Sequence, residues 1–183
     1  MPLRIPDELP AAKILLDENI FCMSDSFAAH QDIRPLRVLL LNLMPKKIET
    51  EIHLMRMLSN SPLQVNIELM HIGNKQSKNT PIEHMESFYK TFDEVKGEKY
   101  DGMIITGAPL GQVPFSDVLF WPELIDIMDW TKRHVTSVMY LCWGVQAAMY
   151  HHYGISKRVL EQKISGVYKH RVVSPLAPII RGF

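Results

Sequence analysis

Apolar residues follow two alternating rhythms along this chain. "LRVLLLNLMP" is a continuous apolar run stopped by Pro45, the pattern of a strand covered on both faces, as in a parallel sheet. "KKIETEIHLMRMLSN" then sets Ile48, Ile52 and Met55 at helical spacing with charges between them, which predicts an amphipathic helix. "PLQVNIELMHI" alternates Val65, Ile67 and Leu69 with polar neighbours and reads as a second strand, followed by the polar loop "GNKQSKNTP". "IEHMESFYKTFDEV" returns to a helical period, and "YDGMIITGAP" is a third strand broken by Gly107 and Pro109. "VLFWPELIDIMDWTKRHV" predicts a helix starting near Pro122, where a missing N–H costs nothing. "TSVMYLCW" is a fourth strand, and "VQAAMYHHYG" a helix stopped by Gly154. Strands alternating with helices predict an α/β fold, a mostly parallel sheet flanked by helices.

The ends depart from that rhythm. Residues 1–35 hold Pro2, Pro6, Pro10 and Pro35 around a short helix-capable piece, and read as an N-terminal arm laid on an α/β domain spanning 36–183. The last stretch, "ISKRVLEQKISGVYKHRVVSPLAPIIRGF", reads as hairpin and loop, with apolar residues that no following element covers. The expectation is a fold that continues beyond Phe183.

Charge narrows the class of partner. The 183 residues carry 20 Lys+Arg against 20 Asp+Glu, so no broad electrostatic footprint for nucleic acid or an anionic membrane is expected. The start lacks the features of a secretory signal, and no segment approaches the run of about 20 apolar residues that spans a bilayer. A cytoplasmic protein is expected. Two cysteines, Cys22 and Cys142, do not make a disulfide scaffold.

Cys142 falls where strand-like residues give way to helix-like ones. In an open parallel sheet that is the functional edge. A thiol there meets the positive end of a helix dipole, which favours thiolate, and the following N–H groups, beginning with Trp143, are free to bind a developing oxyanion. Gly144 would permit the tight turn, the logic of a nucleophile elbow. On the residues alone a second reading stays open, a small buried core thiol. In "ITGAPLG" the amides near Leu110 and Gly111 would complete an oxyanion site, or form an ordinary strand-ending turn. Lys46 and Lys47 open a helix against its dipole, which suits an anionic ligand as well as a solvated pair. His151 and His152 are adjacent rather than i, i+4, so they read as surface residues and no metal site is expected.

Together "LLNLMPKKIETE", "ITGAPLG", "FWPEL", "HVTSVMYLCWGVQAA" and "EQKISGVYKHRV" resemble the homoserine O-acyltransferases of methionine biosynthesis, the homoserine O-succinyltransferase group. The resemblance runs the length of the chain. It implies a fold akin to class I glutamine amidotransferases, a cytoplasmic homodimer, no cofactor, and ping-pong transfer of a succinyl group from succinyl-CoA to the hydroxyl of L-homoserine. It makes Cys142 the nucleophile that carries the acyl thioester, and the Leu110 and Trp143 amides the oxyanion site. Lys163 becomes a substrate-binding lysine and Lys47 a lysine near the acyl donor. Gly111 takes the position tied to donor choice, where glutamate goes with acetyl-CoA and glycine with succinyl-CoA; a carboxylate would repel the succinyl carboxylate and fill its space.

The same resemblance implies that the family's histidine base and its glutamate partner lie beyond Phe183. General-base help is worth typically about 10²–10⁴-fold, so the chain alone is expected to be impaired. Competing readings are a homoserine O-acetyltransferase, another cysteine hydrolase or amidotransferase on this fold, and a non-catalytic interaction module whose C-terminal strands pair with another chain.

Overall fold

The structure, a computed structural model, describes residues 3–20, 22–23, 34–73, 79–162 and 164–180. Its elements follow in chain order: β1 (Leu3–Arg4), α1 (Pro10–Asp17), β2 (Cys22–Met23), β3 (Leu36–Leu41), α2 (Lys47–Leu58), β4 (Val65–Met70), α3 (Ile82–Phe88), β5 (Tyr89–Lys90), α4 (Phe92–Val95), β6 (Tyr100–Ile105), α5 (Trp121–His134), β7 (Val135–Tyr140) and α6 (Trp143–Tyr153). The strands form one sheet in the order β2-β1-β4-β3-β6-β7, with β5 also paired to β4, and every pair is parallel.

Alternation within the strands builds two cores, one on each face. Leu39, Leu41, Met103 and Ile105 point to the face covered by α5 and α6, against Leu124, Ile127, Met128, Trp143 and Ala147. Leu40 and Ile104, with Val65, Ile67 and Leu69, point to the face covered by α1 and α2. Such double coverage is why β3 reads as a continuous apolar run.

The four long strands, the helix opening near Pro122 and the helix ending at Gly154 lie where the pattern put them, and Gly154 takes the left-handed stop at φ 68°. Three segments differ from expectation. The proline-rich start contributes two strands to the sheet as well as a helix: Leu3 and Arg4 pair with both β2 and β4. Strands of two residues are too short for periodicity to reveal. The helical reading of "IEHMESFYKTFDEV" is interrupted by β5, after which Thr91 and Glu94 form a capping box that starts α4 anew. After Gly154 no strand occurs among the described residues; the segment ends in a short 3-10 turn at Pro178–Ile180. The hairpin expected there is not formed among the described residues, and Val159, Val167, Val173 and Leu176 are exposed. No helix among the described residues is long and apolar enough to cross a membrane.

Backbone hydrogen bonds carry the parallel ladder past the strand ends. Thr106 N–H donates to Leu41 O, Leu141 N–H to Ile105 O, and Asn42 N–H to Met70 O. Leu43 N–H donates to Thr106 Oγ1 at 2.7 Å. The residues just beyond β3, β6 and β7 are therefore locked side by side at the carboxyl edge. Gly144, at the start of α6, lies so close to β6 that an added Cβ would sit 2.9 Å from Thr106 O and 3.0 Å from Ile105 O. Close approach to a neighbouring backbone, rather than a turn, is what requires glycine here. Gly144→Ala is expected to destabilise the protein by about 1–3 kcal/mol, the usual cost of overpacking a rigid site, as read by urea denaturation.

Candidate functional site

β7 ends at Tyr140 and α6 begins at Trp143, leaving Leu141 and Cys142 to make the reversal. Cys142 is the helix N-cap with φ 53° and ψ −118°, a conformation that L residues rarely hold and that costs on the order of 1–3 kcal/mol. The turn is fixed by Gly144 N–H donating to Leu141 O and Val145 N–H to Cys142 O. Its effect is to lift the thiol out of the core: Cys142 is exposed, whereas the adjacent Trp143 side chain is buried against Phe115 and Phe120. The buried-thiol reading of Cys142 is thereby excluded.

The neighbouring strand end leaves room for chemistry at this thiol. A Cβ on Gly107 would stand 2.9 Å from Cys142 Cβ, 3.2 Å from Trp143 N and 3.3 Å from Cys142 Sγ. Glycine there keeps both the sulfur and the first helical amide approachable. Trp143 N–H has no acceptor among the described residues, as the first turn of a helix dictates. It is therefore available to a developing oxyanion. Leu110 N–H, by contrast, donates to Ala108 O at 2.8 Å within its own loop, so it joins the Trp143 amide only if that small turn opens.

Gly111 sits on the same loop with open space around it, nothing lying within 4 Å of where a Cβ would be. The loop is held by a residue that sequence reasoning missed. Lys157 donates from Nζ to Leu110 O at 2.9 Å and to Val113 O, with its ammonium 4.6 Å over the Phe115 ring. Burial lowers its proton affinity. Phe115 in turn stacks on both Trp121 and Tyr150, so the loop bearing Gly111 is anchored to α5 and α6 together. Lys157 lies beyond the Gly154 stop in what reads as plain loop, and nothing in its spacing signals this contact.

The paired lysines separate. Lys46 is exposed and pairs with Glu49 at 3.0 Å, as a solvated residue would. Lys47 is not solvated: it is buried, donates from Nζ to Asn42 O and lies 5.5 Å over the Tyr89 ring. Beneath it runs a second feature absent from the sequence reading. Asn42 Nδ2 donates to Tyr89 Oη at 2.9 Å, Tyr89 O–H donates to Glu51 Oε1, and His84 Nε2 lies 3.1 Å from both Glu51 oxygens. Burial, and then the adjoining Glu51, push the Tyr89 phenol far above its ordinary range, so it stays a donor. The i, i+4 spacing of Lys47 and Glu51 was the one available signal, one turn apart on a helix face. Lys163 lies outside the described residues.

A parallel α/β sheet presenting an exposed cysteine on a strained strand-to-helix turn, beside a helix-start amide with no acceptor among the described residues, defines an α/β protein with the backbone geometry of an elbow. The sequence profile of the homoserine O-succinyltransferase family matches residues 2–183. The homoserine O-succinyltransferase of Tolumonas auensis is 61% identical over all 183 residues, which cover 58% of that protein. Those of Vibrio parahaemolyticus and Shewanella baltica are 58% and 56% identical over the same span and share. The chain belongs to the homoserine O-succinyltransferase family, and it spans 58% of the length of these curated relatives.

The geometry separates the two thiols. Cys22 is half-buried and burial pushes its thiol up, while Cys142 is exposed. Limited iodoacetamide treatment at neutral pH is expected to alkylate Cys142 about tenfold or more faster than Cys22, as read by peptide mass spectrometry. Equal rates would show that the elbow confers no selectivity.

Proposed function

We propose that this chain carries the nucleophilic half of a homoserine O-succinyltransferase, moving a succinyl group from succinyl-CoA to the hydroxyl of L-homoserine through a thioester on Cys142. The observation that carries the reading is Cys142 itself, exposed at φ 53° on the first turn of α6 beside an amide with no acceptor. In the first half-reaction the Cys142 thiolate adds to the thioester carbonyl of the donor, and the oxyanion forms against Trp143 N–H. Collapse breaks the bond to the coenzyme sulfur, which leaves as a thiolate and takes up a proton. In the second, the homoserine hydroxyl loses its proton to a base and attacks the acyl-enzyme, returning the Cys142 thiolate.

The open space at Gly111 supports succinyl over acetyl: the succinyl carboxylate needs room and no facing negative charge. Lys157 holds that loop in place, and Leu110 supplies a second oxyanion donor when its turn opens. Lys47, buried on Asn42 O, shapes the β3–α2 turn near the donor and does not reach it as a free charge. Lys163 binds homoserine. The reaction takes no cofactor, its setting is the cytoplasm, and the working assembly is a homodimer; sedimentation velocity is expected to show a dimer, and a lone monomer species would remove that part of the reading.

Intact mass spectrometry tests the chemistry. Incubation with succinyl-CoA at a pH high enough to ionise the thiol is expected to give a single succinyl adduct that is absent from Cys142→Ala. Gly111→Glu is expected to lower the succinyl-adduct rate about tenfold or more and spare the acetyl adduct formed from acetyl-CoA. An adduct that persists in Cys142→Ala would sink the mechanism, and a faster acetyl than succinyl reaction in the unaltered chain would reassign the donor.

A further inference from the structure

At the end of α6 far from Cys142, three metal-ligating side chains converge. Adjacent histidines on a helix ordinarily diverge, yet the His151 and His152 rings lie with centroids 4.8 Å apart. Asp129 reaches them from the next-to-last turn of α5, its Oδ1 3.0 Å from His151 Nε2. One ligand atom from each of Asp129, His151 and His152 lies within 4.8 Å of the others. This corrects the expectation that the two histidines are unrelated surface residues.

Two further observations bear on what the cluster would hold. His152 Nδ1 is buried with no hydrogen-bond partner, and its Nε2 is only 3.4 Å from the Tyr140 hydroxyl. A buried polar atom without a partner is costly, and a ligand would offset that cost. Both histidines lie in the last turn of α6, where the carbonyl end of the helix dipole favours a cation.

We infer that Asp129, His151 and His152 form a binding site for a divalent late first-row transition-metal ion, clamping the end of α6 to α5. Two imidazoles and one carboxylate are the donor set that zinc, nickel, cobalt and copper prefer over calcium or magnesium. Bonds of about 2.0–2.1 Å put the ligand atoms roughly 3.3 Å apart around a tetrahedral ion, so the Asp129–His151 pair opens slightly and His152 draws in, with water completing the shell. Side-chain rotation on two helix surfaces supplies that movement. The ion replaces the hydrogen shared between His151 Nε2 and Asp129 Oδ1, so binding releases any proton held there. One competitor is present: Lys132 Nζ lies 2.6 Å from the same Asp129 Oδ1, on an exposed side chain that must swing aside. His151 is about 14 Å along the helix from Cys142 at 1.5 Å per residue, so the site stands apart from the thiol chemistry and does not rest on the proposed reaction.

The test is Zn(II) binding to the purified chain by equilibrium dialysis, with Co(II) absorption reporting the ligand set. It is run in a Cys142→Ser background so that the exposed thiol does not compete. One equivalent of Zn(II) is expected, with a rise in melting temperature on binding. His151→Leu and His152→Leu are each expected to weaken binding about tenfold or more, and Lys132→Met to tighten it by removing the competing cation. The proposal is overturned if no Zn(II) binds at a few molar equivalents, or if either histidine variant, folded by circular dichroism, binds as before. Should both histidine variants fail to fold, Lys132→Met decides: unchanged affinity rejects the site.

Discussion

The backbone reversal at Cys142 is the constraint on which the rest of this structure turns. A cysteine at φ 53° is held against its own preference, so neighbouring parts must over-determine it. They do so from both sides. Gly144 allows α6 to start in contact with the Ile105 and Thr106 carbonyls, and Gly107 lets the end of β6 pass beside the Cys142 side chain and the Trp143 amide. Leu141 N–H, bonded to Ile105 O, ties the turn to the same strand end. A side chain at either glycine would meet rigid main chain or the Cys142 side chain itself. The two faces of the sheet bury enough apolar surface to supply the energy that the strain consumes.

A second constraint operates two strands away. Charged and hydrogen-bonding groups are rare in a protein interior because their desolvation is repaid only when every partner is in place. Asn42, Lys47, Glu51 and His84 are buried together with the Tyr89 hydroxyl, at the carboxyl end of β3 and beside the elbow's own scaffold. Leu43 N–H bonded to Thr106 Oγ1 links this polar knot to the strand that carries Gly107. The knot therefore fixes the height and angle of the β3 end, and through Thr106 the position of the neighbouring strand end. Apolar residues of similar size would pack there without specifying so directional an arrangement.

Much of this was legible in the sequence because the signals were long. Strands of six residues covered on both faces, and helices of three or four turns, impose periodicities that a single chain displays. Cys142, Trp143 and Gly144 were legible for the same reason: the elbow lies between a strong strand and a strong helix. What stayed hidden depends on contacts between distant segments. Leu3 and Arg4 become a strand only because β4 offers an edge, and β5 interrupts a helical pattern because Tyr89 and Lys90 pair with Leu69 and Met70. Lys157, forty-seven residues from Leu110, acts on it through a fold that local spacing does not encode. Gly144 was marked correctly for a different reason, since its freedom from a Cβ matters more than its freedom of φ. The convergence of His151 and His152 was hidden too, because helix geometry alone turns adjacent side chains apart.

Both ends of α6 thus gather polar chemistry, by different means. At its start, the Trp143 amide, without an acceptor among the described residues, and a strained N-cap stand beside an exposed thiol. At its finish, two imidazoles and the Asp129 carboxyl concentrate lone pairs where the helix dipole turns negative. The body between them is locked by Trp143, Ala147 and Ala148 in the core and by Tyr150 stacked on Phe115. That stack meets the ring over which Lys157 holds the Gly111 loop. A shift of α6 along its axis would therefore disturb the elbow, the loop and the histidine pair together, which makes the packing of one eleven-residue helix the common determinant of all three.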